Sequence, residues 1–164
     1  MHSRYCSVLS EKEDARMMRP MTITVLEKSS KEALDDLNVL MRQLRKEQVN
    51  KKDGTLSELQ DIVDAKNVWM IVAMDEGRIV GTGTLYALQK IGKRIGHVED
   101  VVVHADYRGN GLGEKIMRHI IELAKQQKVT TLNLTSRPGR SAANKLYQKV
   151  GFKLKETNPY RLEP

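Results

Sequence analysis

Apolar and polar positions change their spacing along the chain, and the changes predict an alternation of strands and helices. Thr22–Leu26 alternates polar and apolar side chains, which predicts a strand, and the apolar run Val68–Met74 predicts a buried strand. Between them, a helix up to about Arg45 carries apolar residues on one face, namely Leu34, Leu37, Met41 and Leu44. Ser29 with Glu32, and Thr55 with Glu58, have capping-box spacing and predict the first residues of two helices.

The remaining pattern completes the order of elements. Gly77 predicts a tight hairpin turn after the buried strand. Further strands are predicted over 79–91, 96–104, 129–135 and 153–162, and further helices over 111–127 and 141–150. The order βααβββαβαβ predicts an α/β fold (an α+β sandwich) with a mixed, mostly antiparallel twisted sheet flanked by helices. Residues 21–164 are expected to form one domain, and the polar residues 1–20 a flexible extension.

Composition limits the compartment and the kind of partner. The chain has 164 residues, enough for one core, and its single cysteine, Cys6, excludes an intrachain disulfide. This favours a reducing compartment, so we predict a cytoplasmic protein. The longest apolar run, 68–74, is too short to cross a bilayer, and residues 1–20 lack the apolar segment of a secretory signal. No membrane partner is expected.

Charge is distributed unevenly. Residues 1–103 hold 16 Lys/Arg and 16 Asp/Glu, whereas residues 104–164 hold 12 Lys/Arg and 5 Asp/Glu, which accounts for the whole formal charge of +7. Such a surplus suits a nucleic acid, an acidic membrane or a phosphate-bearing small molecule, or it is a solvated basic face. The basic segment lacks interleaved aromatic residues for base stacking, so nucleic acid is not the expected partner.

A glycine-rich loop lies between a predicted strand and a predicted helix. It reads Arg108-Gly-Asn-Gly-Leu-Gly113 and is followed by Glu114. Glycines let the backbone approach a ligand, and the amides of a helix's first turn favour an anion. The dinucleotide fingerprint would need glycine at position 114, and the nucleotide-hydrolase loop would need lysine there. The alternative is a tight strand-to-helix turn without a ligand.

Three linked motifs resemble a known family. Arg-x-x-Gly-x-Gly at 108–113 resembles the acetyl-coenzyme-A loop of GNAT-type N-acetyltransferases, and the preceding segment 101–107 is similar to the strand that leads into that loop. Downstream, the segment 142–152, Ala-Ala-Asn-Lys-Leu-Tyr-Gln-Lys-Val-Gly-Phe, is similar to the family's Asn-x-x-Tyr…Gly-Phe segment. With the order of elements, the resemblance covers roughly residues 22–162.

The resemblance implies a set of site residues for acetyl-coenzyme A (acetyl-CoA) and for acetyl transfer to an amine. Backbone groups of three valines would bind the pantetheine arm and polarise the acetyl carbonyl: Val101, Val102 and Val103. The pyrophosphate would lie on Arg108, Gly109, Asn110, Gly111, Leu112, Gly113 and Glu114. Asn144 would bind the cofactor arm, and Tyr147 would protonate the departing thiolate.

Two acidic residues lie next to each other in the strand before the loop. If the strand alternates, Glu99 and Asp100 point to opposite faces and Glu99 shares its face with His97. Glu99, or a water beside it, would accept the proton of the attacking amine. The same alternation would scatter the histidines and carboxylates of this region over two faces, so no metal is expected.

The acceptor and the assembly are left more open. Gly96–Val103 resembles the corresponding segment of glucosamine-6-phosphate N-acetyltransferases, and Arg161 falls near their C-terminal phosphate-binding arginine. The loop Thr135–Arg140 departs from those enzymes, so a small amine, an amino acid or a peptide amine is an alternative acceptor. A non-catalytic acyl-CoA-binding module on the same fold is a further alternative. The predicted last strand could pair with a second copy, which predicts a homodimer.

Overall fold

The computed structural model describes residues 21–45 and 52–163. The extension predicted over 1–20, with Cys6, and the start of the polar loop after Arg45 lie outside the described residues. Contacts divide the chain into two compact units that meet between Leu134 and Thr135. The two units are described separately.

The first unit contains most of the predicted strands and helices, and each observed element agrees with its prediction to within a few residues. The strands are β1 (Thr22–Val25), β2 (Val68–Asp75), β3 (Arg78–Lys90), β4 (Lys93–Val103) and β5 (Thr131–Leu134). The helices are α1 (Lys31–Leu44), α2 (Leu56–Asp64) and α3 (Leu112–Gln126), with a 3₁₀ turn at Ala105–Tyr107.

The five strands form one sheet in the order β1-β2-β3-β4-β5. The first three pairs are antiparallel and β4–β5 is parallel, which confirms the mixed, mostly antiparallel sheet. The β2–β3 turn has positive φ at both central residues, 48° at Glu76 and 81° at Gly77. This is the backbone that a two-residue hairpin requires, as the sequence predicts.

Helices cover both faces of the sheet. On one face, α1 and α2 bury a cluster of Leu37, Leu40, Leu59, Val72, Ile79 and Val102. On the other face α3 lies very close to β3, because a Cβ placed on Gly81 or Gly83 would come within 2.9 Å of Ile116 or Ile120, respectively. The sequence predicts a stripe of Ile116, Ile120, Leu123 and Ala124 along α3. Of these, Ile116, Ile120 and Ala124 are buried, together with Met117, whereas Leu123 is half-buried.

The helix caps agree with the sequence in one case and differ in the other. Thr55 and Glu58 form the predicted capping box at the start of α2. The box predicted at Ser29 is wrong, because α1 begins one residue later and Ser30 accepts a hydrogen bond from the Ala33 N–H at 3.1 Å. The Ser29 hydroxyl instead bonds to the side chain of Gln60 on α2.

The second unit contains one helix, α4 (Ser141–Lys149). Gly151, with φ 103°, ends it, and the Phe152 N–H donates to the Tyr147 carbonyl at 2.9 Å. The strand predicted at 153–162 is wrong: residues 153–163 form neither helix nor strand. Alternating charged residues and Pro159, which has no backbone N–H, give this segment little to bury or pair, and Leu154 and Leu162 are 93% and 87% exposed.

One buried carboxylate ties α1 to the sheet. Asp36, 6% exposed, accepts hydrogen bonds from the Arg78 Nε at 2.8 and 3.0 Å and from the Ile79 N–H at 2.9 Å. Burial acts to raise the pKa of Asp36, but the bonds from Arg78 and Ile79 outweigh it and the pKa lies below its ordinary value. The carboxylate therefore stabilises the fold in its charged form.

This arrangement predicts a pH-dependent stability. Because the pKa of Asp36 is lower in the folded than in the unfolded chain, its contribution is present above pH about 4 and is lost as pH falls through the folded value. We expect Asp36→Asn to lower the free energy of unfolding by about 1–3 kcal/mol at pH 7, and by less in acid. Urea unfolding at pH 7 and in acid measures the free energy of unfolding of each protein. Asp35→Asn, on the exposed side of α1, is the control. Equal stability of Asp36→Asn and the parent at pH 7 would contradict it.

Candidate active site

The glycine loop joins β4 to α3 with two residues in left-handed backbone conformations. Gly109 has φ 83° and Gly111 φ 74°, and a Cβ on either would meet nothing within 4 Å. The glycines are thus required by conformation and leave open space above the backbone. Gly113 lies within the first turn of α3 rather than in the loop, which corrects the expectation that all three glycines shape it.

The N-terminus of α3 is open toward that space. Gly111 is the N-cap and supplies no side-chain hydrogen bond, so the first-turn amides are not capped by the side chain that usually does so. Such amides, with the helix dipole, attract an anion. Glu114 is in the same turn, and Arg118 donates to its Oε1 from Nε at 3.0 Å and from Nη2 at 2.7 Å, which offsets its charge.

Arg108 points back to the end of β4 rather than out over the loop. Its Nε donates to the Val103 carbonyl at 2.9 Å, and its Nη2 donates to the Oε1 of Gln43 on α1 at 3.3 Å. The Arg108 side chain therefore holds the start of the loop against the end of β4 and against α1. Gln43 was not among the predicted site residues, since a single polar residue on an amphipathic helix gives no sequence signal.

The strand before the loop has an irregular pairing that the sequence did not predict. Thr84 pairs with Glu99 and Thr82 with Val102, so Asp100 and Val101 together oppose Gly83. Asp100 adopts φ 53°, the left-handed conformation found in bulges. The strict alternation assumed for this strand is therefore interrupted after Glu99, because Asp100 and Val101 together occupy one pairing position.

The bulge also separates two parts of β4. β5 pairs with β4 only from Ile95 to Val98, so within the described sheet the β5-facing edge of β4 has no strand partner from Glu99 to Val103. Val102 is buried in the core cluster with α1 and α2, while Val101 packs beside Gly83. Val102 is thus a core residue, Val101 and Val103 are half-buried, and the backbone of all three borders an open edge. This leaves backbone groups of Val101–Val103 available for the contacts with the pantetheine arm that the resemblance implies.

Three titratable groups interact around the bulge. Thr84 and Tyr86 of β3 pair with Glu99 and His97 of β4, which puts Glu99 and His97 on one face as expected. Burial, followed by the charge of Asp100, raises the pKa of Glu99, and burial, Asp100 and Glu99 raise the pKa of Tyr86. Both carboxyls therefore act on the same phenol, and sequence reasoning missed Tyr86 because it lies on another strand.

In the second unit, α4 presents Asn144 and Tyr147 one turn apart. The Asn144 Nδ2 donates to the carbonyls of Arg137 and Pro138 at 3.1 and 3.3 Å, so this side chain folds the preceding loop onto its own helix. Tyr147 is half-buried, and its ring meets Phe152 edge-on at 6.3 Å between centroids. The Ser136 hydroxyl is buried and has no hydrogen-bond partner among the described residues.

Residues 21–45 and 52–163 contain neither a metal-binding cluster nor a membrane-spanning helix. Over these ranges no group of three or more His, Cys, Asp or Glu side chains is arranged to hold a metal ion. Over the same ranges, the helices are too short or too polar to cross a bilayer.

Known proteins resemble this chain along most of its length. The Acetyltransferase (GNAT) family matches residues 34–152. A rice protein, "Probable glucosamine 6-phosphate N-acetyltransferase 2", is 41% identical over 83 residues, 49% of this chain and 48% of that protein. A "Glucosamine 6-phosphate N-acetyltransferase" of Trypanosoma brucei brucei is 33% identical over 107 residues, 60% of this chain and 71% of that protein. The matched region thus spans about half the length of the rice relative.

The structure gives the same relationship. A crystal structure of a Trypanosoma brucei acetyltransferase superposes with a TM-score of 0.71 and 27% identity, over 88% of this chain and 100% of the other. The family match includes the glycine loop and the segment that ends at Phe152, which are the motifs that carried the resemblance. The chain therefore belongs to the GNAT family of acetyltransferases.

Proposed function

We propose that the protein transfers the acetyl group of acetyl-CoA to a primary amine. The observation that carries this proposal is the uncapped N-terminus of α3, which residues 104–111 connect to the open edge of β4. Uncapped amides suit a pyrophosphate, and the unpaired strand edge suits the amides of a pantetheine arm.

Different segments of the chain would bind different parts of acetyl-CoA. The segment 108–114 would hold the pyrophosphate, with Gly109, Asn110, Gly111, Leu112 and Gly113 contributing backbone groups. The negative charge of Glu114 is offset by its ion pair with Arg118. Val101, Val102 and Val103 would bond the pantetheine arm through their backbone, and one of their amides would polarise the acetyl carbonyl. Asn144 would contact the arm as well as hold its own loop.

Transfer needs two proton movements. As the amine nitrogen bonds to the thioester carbon and the carbon–sulfur bond breaks, Tyr147 would give its phenolic proton to the thiolate. The surplus proton of the amine would pass to Glu99 or to a water beside it. The raised pKa of Glu99 supports this role, because a carboxylate of higher pKa is the stronger base.

The acceptor that the comparisons favour is a phosphorylated amino sugar. The two relatives described above are named as glucosamine 6-phosphate N-acetyltransferases, and the resembling segment, Gly96–Val103, lies along β4. Lys93 and Arg94, at the start of β4, and Arg161 are cationic groups that a sugar phosphate would attract. A small amine, an amino acid or a peptide amine is the alternative, because the loop 135–140 differs from that of the sugar enzymes.

We also propose a homodimer formed through the C-terminal segment. Leu154, Tyr160 and Leu162 are at least 87% exposed in the single chain, which is costly for apolar side chains unless a second copy covers them. A monomer in light scattering of the full chain would contradict this. The cytoplasmic location remains a prediction that rests on the cysteine content.

The first prediction concerns the loop. Gly111→Val places a branched side chain in the open space above the loop and should weaken CoA binding at least about tenfold. Calorimetry with CoA measures this. Gly92→Val is the matched control, because Gly92 has φ 77° and an equally open surrounding but lies in the β3–β4 turn. Equal affinities of Gly111→Val and Gly92→Val would remove the loop from the binding site.

The second prediction concerns the acid. Tyr147→Phe keeps the ring beside Phe152 and removes the proton, so kcat should fall roughly 10²-fold while the melting temperature changes little. Tyr160→Phe, at a residue 92% exposed, is the control. A Tyr147→Phe rate equal to that of the parent would show that water protonates the thiolate.

The pH profile of the same assay tests the base. If Glu99 accepts the amine proton, the rate falls as pH drops through its raised pKa, and Glu99→Gln loses both this limb and most of the rate. An unchanged profile in Glu99→Gln would assign the proton to solvent.

The third prediction concerns the acceptor. Thiol release should be faster with glucosamine 6-phosphate than with glucosamine, and Arg161→Ala should raise KM for the phosphorylated sugar about tenfold. Lys155→Ala, at another exposed cation of the same segment, is the control. A parent that ignores the phosphate would exclude the sugar phosphate and leave the acetyltransferase proposal intact. Release with no amine of a broad panel, despite CoA binding, would instead indicate the non-catalytic module.

A further inference from the structure

One side chain of α1 connects three consecutive parts of the path from β4 to the glycine loop. Gln43 Oε1 accepts a hydrogen bond from the Ala105 N–H at 2.9 Å and a second from the Arg108 Nη2 at 3.3 Å. Arg108 in turn donates from Nε to the Val103 carbonyl at 2.9 Å. These four residues, Gln43, Val103, Ala105 and Arg108, are called the Gln43 clasp below.

We propose that Gln43 is a positioning residue that holds the glycine loop in its ligand-binding conformation. This inference rests on the proposed function, because it assigns to Gln43 the affinity of the loop for CoA. Gln43 itself contacts the loop only through Arg108, so it acts on the ligand through the backbone that it orders.

The loop needs such support because little else packs against it. Gly109 and Gly111 have no neighbour within 4 Å of an added Cβ, and Arg108, Gly109 and Asn110 are exposed. The conformation of such an exposed loop depends mainly on the residues that anchor its two ends. α3 fixes the downstream end, and the Gln43 clasp joins the upstream end to α1, which is packed on the sheet.

Other hydrogen bonds also hold the 3₁₀ turn in place, and they limit how much a substitution of Gln43 can disturb the loop. The His104 N–H donates to the Val80 carbonyl at 2.8 Å, and the Tyr107 hydroxyl donates to Asp75 at 2.7 Å. Loss of Gln43 should therefore loosen the loop without unfolding the turn. In the parent the loop is already ordered in the folded protein. In the variant the loop would have to become ordered when the ligand binds, and this loss of entropy would weaken binding.

The experiment compares two substitutions at one position. Gln43→Leu removes both acceptor contacts, and Gln43→Glu keeps an oxygen for Ala105 and Arg108. We expect Gln43→Leu to raise the Kd of CoA about tenfold in calorimetry, and Gln43→Glu to stay within about threefold of the parent. Gln126→Leu, at the exposed last residue of α3, is the matched control and should leave the Kd unchanged.

Kinetics and hydrogen exchange separate positioning from general stability. Gln43→Leu should raise KM for acetyl-CoA about tenfold with kcat nearly unchanged, and without ligand it should speed amide exchange at Ala105 and Arg108–Asn110 but not in β3. Parent-like CoA affinity in Gln43→Leu, or equal loss in Gln43→Leu and Gln43→Glu, would overturn the inference. A parent that binds no CoA would refute the proposed function, and unchanged exchange in Gln43→Leu would separately refute the clasp.

Discussion

The close contact between α3 and the two glycines of β3 determines the geometry on which the candidate site depends. Gly81 and Gly83 have no side chain to hold the helix away, so Ile116 and Ile120 reach the backbone of the sheet. The helix that is seated this close to β3 begins at Leu112, and residues 104–111, which include a 3₁₀ turn and two left-handed glycines, connect it to β4. The uncapped first turn of α3 therefore belongs to a helix that is held on the sheet by Ile116 and Ile120.

The bulge in β4 has an equally direct consequence. An inserted residue at Asp100 shifts the pairing with β3, and the pairing with β5 ends at Val98. The same stretch thereby presents an unpaired backbone edge and brings the carboxyls of Glu99 and Asp100 within electrostatic reach of Tyr86. An open strand edge and a carboxyl of raised pKa thus lie at a single irregularity, which agrees with the tendency of bulges to lie at functional sites.

Much of this was predictable from local chemistry, and the remainder depended on contacts distant in sequence. The hairpin at Gly77, the cap at Thr55, the buried stripe of α3 and the glycine loop follow from residue type and spacing alone. The bulge at Asp100 could not be predicted in this way, because the residues Glu99, Asp100 and Val101 have no spacing that distinguishes them from a regular strand. Gln43 is 62 positions from Ala105, and no spacing rule connects them.

One prediction was wrong and another was incomplete, for the same reason. The segment 153–162 has the alternation of a strand, but a strand also needs a partner, and sequence alone does not show whether one is present. Asn144 fits the family motif, yet its amide is used by the carbonyls of Arg137 and Pro138. The sequence motif identified Asn144, and the structure was needed to show which hydrogen bonds its side chain makes.

The measurement that tests the central claim most directly is amide hydrogen exchange with and without CoA. If the ligand lies along the open edge of β4 and on the first turn of α3, exchange should slow at residues 101–103 and 109–114. It should not slow in the β3–β4 turn at Gly92, which has the same backbone conformation as Gly111. Protection confined to any other part of the chain, or none at saturating CoA, would contradict the account.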